Sequence, residues 1–155
     1  MSVKHSLQHR WITGNETGSS LIEVAVILLV LLALFSGAVD LGVALYYSNT
    51  LQKAADAGAL YGSQNPTDTA GMIQAADQDA QDVPGINASA IYGCECSNGS
   101  SQTPNCTVTP SCPSGTSETY YVSVTARTTY KALIPWPGLQ SSYNLGSTVT
   151  LPTAQ

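Results

Sequence analysis

Glu23 is a lone carboxylate at the mouth of an uncharged apolar run, residues 24–39. An ionised group left in hydrocarbon costs on the order of a few kcal/mol, so this acid calls for a compensating charge. Cys94, Cys96, Cys106 and Cys112 form the second chemical group. They could cross-link or hold a metal. Structural zinc sites commonly leave two to four residues between paired ligands, whereas here the gaps are one and five, so bridges are the better reading. Redox catalysis is disfavoured because no Cys-x-x-Cys is present. Asp77, Asp79 and Asp82 invite calcium, but the turn position that needs Gly holds Asp82 and no Glu closes the loop. A solvated helix face accounts for them better. The only histidines are His5 and His9, and no Gly-x-Ser-x-Gly, phosphate loop or convergent acid pair accompanies them. The expectation is therefore a non-enzyme with no cofactor and no metal.

The elements that position these groups begin with a membrane segment. Residues 24–39 would span roughly 24 Å as a helix, and Leu21, Ile22 and residues 41–47 extend the apolar length toward the ~30 Å of a bilayer core. Lys4 and Arg10 precede the span and no Lys or Arg follows until Lys53. By the positive-inside rule the N-terminus stays in the cytoplasm and the remainder crosses. A secretory signal peptide is the rival, with Ser36, Gly37 and Ala38 imitating a cleavage site. Cleavage there would cut a helix that continues through Leu41, Leu45, Leu51, Ala54 and Ala55. If continuous over 19–62, that helix measures roughly 65 Å, about half of it beyond the membrane. Leu41, Leu45, Leu51, Ala55 and Gly58 fall near one face of the outer half, with Tyr47, Ala54 and Ala57 beside it. Small residues at such spacing let helices approach closely.

Beyond the helix the chain reads as a small α+β domain, 63–155. Asn65-Pro66 breaks the first helix. Thr67 or Asp68 caps a second, predicted to run to about Val83 with Met72, Ile73, Ala76, Ala80 and Val83 as its apolar stripe, before Pro84-Gly85. Three antiparallel strands are predicted. The first covers 88–94, with Ala88, Ala90 and Tyr92 on one side. The second covers 118–131, with Tyr120, Val122, Val124, Ala126 and Tyr130 on one face, and the last is marked by Leu145, Val149 and Leu151. Between the first two lies a Cys-rich loop, 94–112, stiffened by Pro104, Pro110 and the adjoining Pro113. An even cysteine count outside the cytoplasm argues for two disulfides. Cys94 and Cys96 are too close in sequence to favour each other, so each is expected to pair with one of Cys106 and Cys112. Pro135-Trp136-Pro137-Gly138 reads as a turn, with Trp136 a core plug or an exposed contact. Nucleic-acid binding is excluded by charge: five Lys plus Arg against ten Asp plus Glu, a formal net charge of −5.

Gly18-Ser19-Ser20-Leu21-Ile22-Glu23 resembles a prepilin cleavage site, at which a peptidase cuts on the cytoplasmic side after Gly18. Residues 1–18 would then be a leader, and Glu23 the fifth residue of a mature chain beginning at Ser19. The longer series looks like the TadE-like family of Tad (tight adherence) systems. It comprises Gly-Ser-Ser-Leu-Ile-Glu-Val-Ala from Gly18, Val39-Asp40-Leu41-Gly42, Leu51-Gln52-Lys53-Ala54-Ala55-Asp56-Ala57 and Gly58-Ala59-Leu60. Ordinary type IV pilins carry an aromatic at the first mature position. Ser19 stands there, which favours the TadE-like reading over type II pseudopilins. The resemblance implies a bacterial minor pilin (pseudopilin) with a pilin-like domain on its long helix. It would be held in the inner membrane with its C-terminal domain periplasmic or extracellular, and drawn from there into a type IV-like pilus for adhesion. The implied partners are a prepilin peptidase, the major and other minor pilins, and a secretion platform with its ATPase. The freed α-amine of Ser19, with a reference pKa of about 7.7–8.0, would pair with Glu23 of a neighbouring subunit. The alternative function is an unprocessed, single-pass, membrane-anchored binding module, in which Glu23 merely snorkels to the headgroups.

Overall fold

The computed structural model describes residues 17–134, 138 and 140–153, and of residues 17–19 the backbone alone. The basic head with Lys4, His5, His9 and Arg10, most of the expected leader, and Trp136 with its flanking prolines therefore lie outside the described residues. The chain falls into two compact units, Met1–Ala38 and Val39–Gln155. One helix, α1 (Thr17–Gln64), contributes to both.

In the second unit α1 is followed by α2 (Thr69–Asp79), β1 (Asn87–Cys96), β2 (Thr103–Pro104), β3 (Glu118–Lys131) and β4 (Ser142–Pro152). The strands form one antiparallel sheet in the order β2-β1-β3-β4. The sheet has four strands, not three. The extra one, β2, is two residues that pair with Gly93 and Cys94. A strand that short, half of it proline, has no alternation to read, and the bond between Cys94 and Cys106 carries it to the sheet.

The core lies between one face of the sheet and the two helices. Leu51, Ala54, Ala55 and Ala59 of α1 meet Met72 and Ala76 of α2 and Val122, Val124 and Ala126 of β3, all fully buried. At 100° per residue, Tyr47, Leu51, Ala54, Ala55 and Gly58 form one stripe on α1. Leu41 and Leu45 do not belong to it. They stand roughly 80° and 120° round from Leu51 on that count, and are 62% and 56% exposed. Helix α2 stops at Asp79, short of Val83, because the chain turns there and the Val83 amide donates to the Ala80 carbonyl at 3.0 Å. Val83 still reaches the core. Asp68 caps α2, its carboxylate accepting from the Gly71 amide at 2.9 Å and from the Tyr61 hydroxyl at 2.7 Å. These bonds hold the Asp68 carboxyl below its ordinary range, with the Gly71 amide the larger influence.

Candidate functional site

Glu23 and the apolar run lie in the first unit. Residues around Gly18 and Ser19 are helical, so the predicted cleavage position falls on the first turns of α1. Leu21, Ile22, Val24 and the apolar residues that follow to Phe35 are mostly more than half exposed. The most apolar 18-residue stretch of this helix has a mean hydropathy of 2.7, and none of it is buried within the chain. Its length and composition fit a membrane anchor. Glu23 is exposed on this helix, and no salt bridge forms among the described residues. The intrachain structure thus supplies no described cation to the acid.

The second acid of the apolar stretch, Asp40, is provided for within its own unit. The Tyr130 hydroxyl donates to Asp40 Oδ1 and lies 3.2 Å from the Asp40 carbonyl oxygen. The Leu133 amide donates to the same Oδ1 at 3.0 Å. Tyr130 is 5% exposed, and Tyr47 packs edge-on against it with ring centroids 5.7 Å apart. Burial, then the bond to Asp40, pushes the Tyr130 hydroxyl pKa up to about 12. Sequence reasoning placed Tyr130 on the inward face of its strand but missed this pairing across 90 positions. A signal existed, because Asp40, Tyr47 and Leu51 recur at steps of seven and four, which puts the acid on the packed stripe of α1.

The four cysteines form a separate cluster at the far end of β1. Cys94 bonds Cys106 and Cys96 bonds Cys112, with Cα–Cα distances of 5.2 and 5.5 Å. The alternation of β1 sends Cys94 and Cys96 to the same side as Tyr92, and both are fully buried. Tyr92 stacks on Tyr120 with centroids 5.8 Å apart. Asp77 and Asp79 lie on α2 and Asp82 in the turn after it. Among the described residues no group of three or more His, Cys, Asp or Glu is placed to hold a metal ion.

Residues 18–60 match the family model of the TadE-like proteins. No curated protein and no solved structure matches the chain.

Proposed function

Taking residues 18–60 as a TadE-like segment, we propose that the chain is a minor-pilin-type subunit of a Tad pilus system. A prepilin peptidase would cleave it after Gly18, and assembly with other pilins would follow through α1. The observation that carries this reading is Glu23, an exposed acid without a described cation on an apolar helix, five positions into the segment that would begin at Ser19. On insertion scales a charge at the helix centre costs roughly 2.5–3.5 kcal/mol, and an acid near the end of the apolar run costs a fraction of that. That cost falls when a neighbour's α-amine arrives, so charge neutralisation favours both association and register. In this role the protein is structural. The helix is anchored in the inner membrane with Gly18 on the cytoplasmic side, and the sheet domain stands on the opposite side. There an oxidising compartment sustains its disulfides.

The experiment measures the mature N-terminus by intact mass in membrane and sheared-surface fractions. The expected result is a chain beginning at Ser19, present in both. In the Glu23→Ala variant cleavage persists while the sheared-surface fraction is depleted. Normal surface assembly of that variant would sink the charge-pairing account. A chain that keeps residues 1–18 would instead support an unprocessed membrane-anchored module.

A further inference from the structure

A cleft of about 450 Å³ opens where the Asn87 end of β1, residues 127–129 of β3 and residues 144–146 of β4 come together. Register places Asn87, Arg127 and Gly146 in one row across three strands. Thr129 and Asn144 face each other in the next such row. Gly146 makes the room. A Cβ there would sit 2.9 Å from Arg127 Cγ and 3.3 Å from the Ala126 carbonyl oxygen, so glycine gives the arginine stem room against β4.

Of the polar side chains lining this cleft, Thr128 is buried and its hydroxyl donates to the Pro84 carbonyl at 2.8 Å, while Arg127 and Asn87 make no side-chain hydrogen bond among the described residues. Among the described residues, no carboxylate lies within 4.0 Å of the Arg127 guanidinium, although acids outnumber bases two to one in the chain. Glu95, the acid on the same face of β1, is eight register positions away, on the order of 26 Å along the strand. The Thr129 hydroxyl donates to Asn144 Oδ1 at 3.0 Å. That bond orients the amide and leaves both Nδ2 protons to be offered elsewhere. A guanidinium fork suits a carboxylate, which it can bind through two parallel bonds. The amides of Asn87 and Asn144 suit a ligand rich in hydroxyls. A bare anion would leave most of the cleft to water, while the volume falls in the range of small-molecule sites. The cleft is open to solvent, so a bound unit could continue into a longer chain.

We propose that this cleft binds a uronate residue of an acidic polysaccharide. Arg127 receives the carboxylate, and Asn144 and Asn87 receive the ring hydroxyls. The site is independent of whether the chain is processed or enters a filament. It gives the domain a surface ligand in either case.

The test titrates the full-length protein, in micelles of an uncharged detergent, with trigalacturonate by calorimetry. Its methyl ester, maltotriose and acetate are the comparison ligands. Saturable binding is expected for trigalacturonate alone. Arg127→Gln should weaken it at least tenfold, the scale of a charge-assisted bond, with the melting temperature unchanged because the side chain is exposed. Gly146→Val favours strand structure yet fills the floor of the cleft, and should weaken binding as well. The proposal is overturned if trigalacturonate shows no saturable binding, or if either variant binds it as the parent does. Acetate binding as tightly as the trisaccharide would also overturn it, by showing a simple anion site. Equal binding of the methyl ester would remove the role given to the carboxylate.

Discussion

Asp40 and Glu23 bracket the same apolar run, yet the chain treats them oppositely. Asp40 lies on the packed stripe of α1 and receives a tyrosine hydroxyl and a backbone amide. Glu23 has no described cation among its surroundings. The difference separates an acid bonded within the fold from one that is exposed on its helix. Tyr130 makes the first case testable through pH. Its hydroxyl pKa is raised from 10.0 to about 12, burial being the larger cause and the Asp40 bond the next. A folded pKa above the unfolded one means that the folded state holds the proton more tightly. The associated stability is complete below pH 10 and is lost as pH rises toward 12. Ultraviolet titration should show one tyrosine ionising near pH 12, and Asp40→Asn should lower that pKa. Tyr130→Phe should remove the late-titrating signal and lower the melting temperature by about a few degrees, the scale of one lost hydrogen bond. If every tyrosine ionises near pH 10, the Asp40–Tyr130 bond is absent in solution. The place of Asp40 at the end of an apolar run is legible in the sequence, although a need for compensation is read there only for Glu23. The partner of Asp40 is not legible, because nothing local links it to a strand 90 residues on.

Among the elements, the helices and the longest strand were the most legible because each carries a period. Alternation over 118–131 marks β3 and its inward face, and Pro66, Asp68 and Pro84 punctuate α2. Periodicity failed where packing decides. Leu41 and Leu45 look like core by hydrophobicity, but the structure buries alanines and a glycine at the contact instead. Gly58 explains the choice. A Cβ there would lie 2.7 Å from the Met72 carbonyl oxygen and 2.9 Å from Val124 Cγ1, so α1, α2 and β3 meet at that point through the absence of a side chain. Gly58→Val should therefore cost about 1–3 kcal/mol by overpacking. A Cβ at Gly42 would meet nothing within 4 Å, and Gly42→Ala should hold stability level or raise it slightly through helix propensity. Urea unfolding of the two variants decides the matter. Equal stabilities would mean that the three elements do not approach as closely as their packing implies.

At the scale of the whole molecule, the distribution of buried side chains separates two tasks. Among the described residues, all those buried in the core lie at or beyond Leu51. Residues 20–38 bury little of one another. The apolar side chains of residues 21–35 are mostly exposed within the chain, which fits a membrane anchor, while the buried core and both cross-links of the sheet domain lie within residues 39–155. Each disulfide can contribute about 2–4 kcal/mol to a domain of this size. A chain beginning at Val39 should thus retain the fold. It keeps Asp40, whose carboxylate then sits in the first turn of the shortened helix, where a negative charge is favourable against the helix dipole. It also keeps Tyr47 and the stripe from Leu51 onward. The expected outcome is a soluble, disulfide-bonded protein whose urea midpoint, read by tyrosine fluorescence, matches that of the full chain in micelles. A midpoint well below that value would show that residues 17–38 support the domain directly. Residues 17–38 would then belong to the folding unit, as Leu51, Ala54, Ala55 and Ala59 of the segment matched to the TadE-like family already do.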